Sequence, residues 1–587
     1  MPRECQLRSG QIKELTLGGF QVFAERTTIP LGPITLLFGP NSAGKSAISD
    51  AMQVLAAFCG LFSPSTEADH SIAQLTTSLL ERHWHRTAGS PPELAPEVAL
   101  GMRVCVDRRR WAGVAITAES DPEGDEERYQ PSKPSFLTAV SALGPWLSQG
   151  GIADLELQLR VLVADPMNLF GQLNRARGAE YSLDLCADVS LSGVPLLAFD
   201  ADCLAAINLA HPALGGRIKP DQFELLASRF ADRVQIEDGW LRFTALAMLN
   251  SAGLSDWGIF AVLDAEYEGA FDDEAKYACW EFVGLFDAIW LCTVKTIQQC
   301  AEIVLVPASR TVPTRQELTY LMDEVGSSIS DTRLGLRMEG RPEFQELATG
   351  GLLAALNHED ALAAPVVRTA KHRLERVNRL LTEHLFREKG YFASTEVHML
   401  SLIDSRLANT QSNAVGNQKK VHGYLVTLLL EDAAGRQFTF EEVGSGLGYV
   451  MPVLVAVASG RRAFVQQPEL HLHPALQADL ADAFIAGLVR PEEPALGRDA
   501  PAGQYIVETH SEHLLLRMLR RIRQAGQYDT YLNALDLDRE KLVVLYVNPL
   551  ANGTSKVVHL RIARDGEFID RWPRGFFEER WRELFDE

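Results

Sequence analysis

The run Pro33-Ile-Thr-Leu-Leu-Phe38-Gly39-Pro-Asn-Ser-Ala-Gly44-Lys45-Ser46 joins a strand, a loop and a helix in one signal. Residues 33–38 are continuously apolar, as a strand buried on both faces must be, and Gly39 ends them. From Lys45 to Cys59 apolar residues recur at helical spacing (Ala47, Ile48, Met52, Leu55, Ala56), and Gly60 stops the run. Between strand and helix the chain satisfies G-x-x-x-x-G-K-[ST]. Glycines at those positions let main-chain N–H groups close around a phosphate at the positive end of the helix. Lys45 supplies a point charge for the β and γ phosphates and Ser46 a hydroxyl for Mg²⁺. The spacing predicts a bound nucleotide. Upstream, Ile12 to Leu17 and Phe20 to Ile29 read as short strands broken by Gly18-Gly19.

The last third returns to strand–helix alternation. It predicts helices over Gly448–Ser459, Pro474–Leu488 and Glu512–Arg523, and strands over Arg462–Val465, Tyr505–Glu508, Leu542–Val547 and Lys556–Ile562. A Pro/Gly/Asp-rich linker spans residues 491–503, and Asp565-Gly566 marks a hairpin turn. The stretch 61–440 is mixed. It contains a polar, acidic loop around Glu119–Lys133 and a helical segment over Val366–Glu388, striped by Val367, Ala370, Leu374, Val377, Leu381 and Leu385. Strand–helix units at both ends predict one α/β domain assembled from distant halves around a long mixed α/β insertion. The expected boundaries are 1–60 for the N-terminal part of that domain, 61–440 for the insertion, 441–530 for the C-terminal part and 531–587 for C-terminal strands and a tail.

Composition sets outer limits. The 587 residues allow roughly four structural units at about 150 each, fewer with insertions. A hydrophobic fraction of 46% and a charged fraction of 23% supply a large core and exclude wholesale disorder. A net charge of −21 excludes a nucleic-acid coat over the whole surface, so any such contact must be a local basic patch; it also argues against an anionic membrane. No apolar run reaches membrane-spanning length, and the first ten residues carry no apolar leader. Eight cysteines are scattered without a CxxC pair, which fits reduced thiols. A cytoplasmic location is the expectation.

Three later motifs complete the pattern. Glu442-Val-Gly444-Ser445-Gly446-Leu-Gly448 precedes an apolar helix, so its glycines offer a second set of N–H groups at a helix start. By itself it also reads as simple backbone packing, while Tyr449 stands where the last glycine of a dinucleotide loop belongs. Phe464-Val-Gln466-Gln467-Pro-Glu469-Leu-His471-Leu-His473-Pro474 and Ile506-Val-Glu508-Thr509-His510-Ser511 both begin at strand ends, where α/β proteins place ligands.

This order of motifs resembles the ABC-type ATPases of the RecF, SMC and OLD group. The resemblance extends to Phe20 between short strands before the phosphate loop. Asp565-Gly-Glu-Phe-Ile-Asp-Arg571-Trp572-Pro573-Arg-Gly575-Phe576-Phe577 and Val306-Pro-Ala-Ser-Arg310-Thr-Val-Pro313 are similar to elements of a bacterial AAA-type family with a "WP-GFF" tail. It covers residues 1–60 and 300–587. The resemblance implies ATP and Mg²⁺ as cofactors. Gly39 and Asn41, Ser42, Ala43, Gly44, Lys45, Ser46 and Ala47 would hold the phosphates, and Gly444, Ser445 and Gly446 would cap the γ-phosphate of ATP on a second subunit. His510 would contact that phosphate or the attacking water, and His471 and His473 would lie in a loop linking two sites. The H-x-H pair otherwise reads as two helix-start histidines rather than metal ligands.

The sequence departs from that pattern where it expects acidic residues, since Gln466 and Gln467 occupy both positions. Gln466 can accept a hydrogen bond from a Mg²⁺-bound water but brings no charge to a hard cation. Gln467 can orient a water without deprotonating it. Glu469 is the nearest carboxylate. Three readings stay open: a natural slow ATPase or nucleotide switch, Glu469 as substitute, or an acid-to-amide change introduced at Gln466 to trap ATP. Slow or impaired hydrolysis is the expectation.

A nuclease within the chain is disfavoured. Asp536-Leu-Asp538 is formally a metal-binding pair, but it precedes a strand, and too little chain follows His510 for a nuclease domain. Arg108-Arg109-Arg110 and Arg517, Arg520, Arg521 and Arg523 form basic clusters that read either as solvated faces or as phosphate-backbone contacts. By resemblance, the expected role is a sensor or regulator ATPase of a bacterial anti-phage or genome-maintenance system. It would be a homodimer or higher oligomer, with a separately encoded nuclease or toxin-like effector. A DNA-repair ATPase acting on DNA ends and a non-hydrolysing, ATP-bound scaffold are the alternatives.

Overall fold

A computed structural model describes residues 10–60, 82–86, 97–108, 143, 146, 149–163, 183–199, 204–214, 234–244, 289–290, 292–310, 312, 319–321, 344, 347, 365–401, 421–440, 442–488, 503–527, 535 and 537–573. Its strands are β1 (Ile12–Gly18), β2 (Thr27–Pro30), β3 (Ile34–Phe38), β4 (Glu97–Asp107), β5 (Ile152–Val163), β6 (Leu183–Leu191), β7 (Val194–Phe199), β8 (Leu204–Asn208), β9 (Val234–Glu237) and β10 (Trp240–Thr244). Then follow β11 (Val304–Val306), β12 (Thr319–Leu321), β13 (Phe392–Ser401), β14 (Val421–Glu431), β15 (Gln437–Thr439), β16 (Arg462–Gln466), β17 (Gln504–Glu508), β18 (Leu542–Pro549) and β19 (Ser555–Leu560). The α-helices are α1 (Ala47–Gly60), α2 (Pro365–Arg379), α3 (Ser445–Ala458), α4 (Pro474–Gly487) and α5 (Glu512–Gln527). The chain divides into two compact units. Unit 1 is Met1–Ile303, Glu540–Arg561 and Asp570–Phe576; unit 2 is Val304–Arg539, Ile562–Ile569 and Phe577–Glu587.

Unit 1 joins the ends of the chain. Every residue of β3 is buried, as its apolar run requires, and β3 pairs in parallel with β18 from Ile34↔Leu542 to Phe38↔Tyr546. β18 then turns back antiparallel into β19. The α/β core is therefore built from N- and C-terminal segments around a long insertion. Trp572 stands edge-on to Phe38 and Tyr546, its ring 5.3 Å and 6.3 Å from theirs. The rest of the WP-GFF stretch beyond Pro573 lies outside the described residues.

The insertion extends β1 and β2 of the N-terminal segment into a nine-stranded antiparallel sheet of order β2-β1-β4-β5-β6-β7-β8-β10-β9. The reading of 61–440 as mixed did not resolve the strands of this sheet. Its chemistry is nevertheless orthodox: in β5, Ala153, Leu155, Leu157, Leu159 and Val161 are buried while Asp154, Glu156, Gln158 and Arg160 are half-exposed, the period of two that a one-sided sheet demands. Arg103 on β4 bridges Glu14 on β1 at 2.9 Å and Glu156 on β5 at 2.8 Å. Ser192-Gly193 and Asp238-Gly239 both take positive φ, making the two-residue turns that match strand twist. The expected strand over Phe20–Ile29 shortens to β2. Gly19 and Gln21 at φ +58° and +47° fold residues 20–23 into a turn instead, in which Phe20 bridges Phe23 and Trp84.

Unit 2 contains the parallel strands β11, β16 and β17, with α4 after β16 and α5 after β17, and an antiparallel group of β12, β14 and β13 with β15 on β14. The helix expected over 366–388 divides into α2 and a π-helical turn, Leu380–Leu385. Phe386 N–H bonds to Leu381 O, five residues back, at 2.8 Å. Ala370, Val377, Leu381 and Leu385 are buried, and Leu374 is half-exposed. The hairpin expected at Asp565-Gly566 is present, with Gly566 at φ +78° and Ile562 bridging Phe568. The acidic loop around 119–133 and nearly all of the 491–503 linker lie outside the described residues.

The basic helix is corrected by its partners. On α5, Arg517 and Arg521 converge on Asp482 of α4, which is wholly buried, at 2.5 Å and 2.7 Å. Arg523 bonds Asp565 O and Glu567. Arg517 and Arg521 thus serve an internal carboxylate, whereas Arg520 and Arg523 are exposed, Arg523 beside the exposed Glu567 and Arg520 without such a bond among the described residues, so the solvated-face reading holds at those two positions. Arg108 bonds Gln149 and lies over Trp146, while Arg109 and Arg110 lie outside the described residues. Removing Asp482 would strand two buried-side cations. Asp482→Ala is expected to lower stability by about 3–5 kcal/mol, read as a fall in the denaturation midpoint, with Asp482→Asn less damaging.

Candidate nucleotide-binding site

The phosphate loop lies in unit 1. Gly39 has φ +139°, Ser42 +62° and Gly44 +93°. A Cβ on Gly39 would sit 2.5 Å from Val547 O, and one on Gly44 would overlap Val22 Cγ2, so both glycines are required by space as well as by φ. Ser42 adopts a left-handed conformation that costs a non-glycine residue about 1 kcal/mol or more. The main-chain N–H groups of Asn41, Ser42, Gly44 and Ser46 donate to no acceptor among the described residues. Ala43 and Ala47 N–H close turns onto Pro40 O and Gly44 O.

Lys45 is buried, with 4% of its surface exposed. Its Nζ donates to Gly39 O and Pro40 O at 3.0 Å and 2.9 Å, which holds the ammonium over the loop. Ser46 is exposed, and Ser49 Oγ donates to its carbonyl. Unpaired N–H groups, a buried cation and an exposed hydroxyl at one helix start form the donor set a polyphosphate with its cation takes.

Sequence reasoning missed the loop's flank. Gln21 Nε2 donates to Asp50 Oδ2 and to His83 Nδ1, each at 2.8 Å. His83 stacks flat on Phe20 at 5.3 Å, and His85 Nδ1 donates to Gln21 O. Burial lowers the His83 pKa against the pull of Asp50. Only Phe20 carried a signal, since single Gln and His residues in turns carry none.

The strand-end motifs lie in unit 2, and Arg310 organises them. Its guanidinium is buried and donates to Tyr449 O at 2.7 Å, Gln466 O at 2.8 Å, Gln467 O and Pro307 O at 3.0 Å and Ala308 O at 3.3 Å. Burial pulls its pKa down to about 10, against Glu469 and Tyr449, so it stays charged at neutral pH. One cation thus ties the loop after β11 to the end of β16 and to the first turns of α3.

Gln466 stands in register with Glu508, and its Oε1 accepts from Ala308 N–H at 3.3 Å. Gln467 has φ +43° and donates its N–H to Glu508 O. Glu469 accepts from Thr509 Oγ1 at 2.8 Å and from His510 N–H at 2.7 Å. Both carboxylate oxygens are therefore engaged in holding the Thr509–His510 turn. Ser511 caps α5 through Leu514 N–H and donates to Gln477 of α4. His473 is the N-cap of α4, whereas His471, at φ +61°, packs its ring on Tyr449 at 4.4 Å. Among the described residues no group of three potential ligands could hold a metal; Asp538 precedes β18 and Asp536 lies outside the described residues.

The glycine signature begins α3 three residues earlier than its apolar pattern suggests. Gly444 is the N-cap, with no side-chain cap, and Gly444 and Ser445 are exposed. A Cβ on Gly446 would lie 3.0 Å from His471 O, so this helix start and the His471 loop fit closely. The helix opens on solvent, and the N–H groups of Ser445 and Gly446 donate to no acceptor among the described residues.

No protein-family model and no curated protein matches the chain. Solved structures similar to it include the SmcHead bound to the C-winged helix domain of ScpA, 10% identical over 94% of this chain and 98% of that one, with a TM-score of 0.37. The SMC head domain from Thermotoga maritima is 10% identical over 94% and 100%, with a TM-score of 0.30. The Smc head domain with an extended coiled coil bound to the C-terminal domain of ScpA, derived from Pyrococcus furiosus, is 10% identical over 98% of each, with a TM-score of 0.32. At that level of likeness the fold stands on its own strand pairing and loop geometry.

The Glu469 carboxyl titrates above its ordinary value because burial outweighs His510 N–H, Thr509 and Arg310. A raised acid favours the folded state in its protonated form. The associated stability is thus full below about pH 4.5 and is lost as pH climbs through the raised value. Glu469→Gln is expected to flatten that slope in denaturation midpoints taken from pH 4 to 7.

Proposed function

We propose that the chain is an ABC-type ATPase that binds ATP with Mg²⁺ and closes over it as a homodimer or larger assembly. One observation carries this reading: N–H groups without an acceptor among the described residues and the buried Lys45 ammonium converge where the wholly buried β3 delivers the chain to α1. Asn41 to Ala47 hold the triphosphate in this scheme. Gly444, Ser445 and Gly446, at an uncapped helix start, cap the γ-phosphate of ATP bound to another copy.

Bound Mg²⁺ would offset charge on the β and γ phosphates. Ser46 is the residue best suited to it, being an exposed hydroxyl. Gln466 suits it less, since its oxygen is neutral and already accepts from Ala308. Gln467 and His510 are assigned to the attacking water and the γ-phosphate. Glu469 is assigned to fixing the His510 turn, because both its oxygens are engaged there. A neutral Gln467 orients water without taking its proton, so hydrolysis is slow.

The cellular role we propose is a nucleotide-controlled sensor or regulator in a bacterial anti-phage or genome-maintenance system, with a separately encoded nuclease or toxin-like effector. The two glutamines equally favour a scaffold that retains ATP without turnover. Engagement of Arg517 and Arg521 by the buried Asp482 weighs against a DNA-end enzyme working through those two residues of α5.

Calorimetry is expected to show ATP uptake by the intact chain and its loss in Lys45→Ala, with the folded state retained. Phosphate release should fall below the range of about 1–100 per second typical of phosphoryl-transfer enzymes, and Gln466→Glu should raise it. ATP uptake unaffected by Lys45→Ala overturns the reading.

A further inference from the structure

We infer that Ser555, at the start of the last described strand, is a positioning residue of the phosphate loop: its hydroxyl sets the peptide plane that presents Gly44 N–H to an anion. The inference rests on the nucleotide reading above and goes beyond it by giving the C-terminal hairpin control of loop geometry.

Ser555 is 8% exposed and opens β19, opposite Pro549. Its Oγ donates to Ala43 O at 2.7 Å, across 512 positions of sequence. Its own N–H donates to Val22 O at 2.9 Å. Both acceptors belong to residues that adjoin Gly44: Ala43 precedes it in the chain, and the Val22 side chain fills the space where a Cβ on Gly44 would go. One serine therefore fixes both the peptide entering Gly44 and the side chain packed against it.

The geometry of a trans peptide gives that contact its consequence. C=O and N–H of one peptide point in opposite directions in one plane. Holding Ala43 O against Ser555 aims Gly44 N–H the other way, and that N–H meets no acceptor among the described residues. Gly44, at φ +93°, carries no side chain that could itself hold the plane. Without the hydroxyl, the Ala43–Gly44 peptide is free to rotate, and the loop must pay for its ordering when the anion arrives.

The same segment braces the loop's other end. Val547, in β18, presents the carbonyl that excludes any side chain from Gly39. Trp572 packs edge-on to Phe38, the residue before it. Loop and hairpin thus meet at Gly39 and at Ala43, the residue before Gly44.

The test compares Ser555→Ala with Ser555→Thr, which keeps the hydroxyl. Calorimetry with ATP and with tripolyphosphate, a probe without a base, is run beside thermal denaturation of the unliganded protein. Ser555→Ala is expected to weaken both ligands about tenfold with little change in melting temperature, and Ser555→Thr to restore both to within about threefold of the parent. Parent-like affinity in Ser555→Ala overturns the inference while leaving the nucleotide reading intact. Equal losses in both variants also overturn it, since a hydroxyl then has no part. Failure of the parent to bind either ligand sinks the nucleotide reading itself.

Discussion

Parallel pairing of β3 with β18 is the contact on which the phosphate loop depends. It sets Phe38 against Tyr546, and so brings Val547 O to Gly39 and Ser555 to Ala43. About five hundred residues lie between the partners, yet closure entropy grows only logarithmically with loop length, so a long insertion is tolerated once both strands are apolar enough to bury. β3 is buried throughout, and Val544, Leu545, Tyr546 and Val547 are buried beside it. Hydrophobic burial thus stabilises a pairing whose by-product is a strained, donor-rich loop.

In unit 2 a different force does the organising. Arg310 is a buried guanidinium with no carboxylate bonded to it among the described residues; five carbonyls satisfy it instead. Such a cation fixes loops, because each N–H must keep a partner or bear a desolvation penalty. It holds the end of β16 where Gln466 and Gln467 sit, and Glu469 holds the Thr509–His510 turn in the same manner from the acidic side. The chemical groups of the strand ends are therefore set by neighbours that perform no chemistry of their own.

Several of these features could be read in advance and others could not. The phosphate loop, the strand ends and the Asp565-Gly566 turn announced themselves because each needs particular residue types at fixed spacing. Asp238-Gly239 was equally legible as a hairpin turn, and reading it would have signalled strands within the insertion. The nine-stranded sheet otherwise hid because some of its strands are separated by long stretches of chain, as β2 is from β4 and β8 from β9, so that no regular strand spacing shows in the sequence. Arg517 and Arg521 illustrate the opposite failure: a run of cations on one helix looks like a surface until the buried Asp482 is seen to face two of them.

Local sequence determined the α/β character, the loop with its lysine and serine, and the amide pair where acids are usual, because helical and strand periods and tight-turn stereochemistry are short-range. Tertiary structure decided which carbonyl each donor meets. Ser555 and Ala43, Arg310 and Tyr449, and Gln21 and His83 are far apart in the chain and carry no pattern of their own. Only the pairing of strands and the packing of loops brings such groups within hydrogen-bond reach, and at that range a single hydroxyl or guanidinium fixes a site.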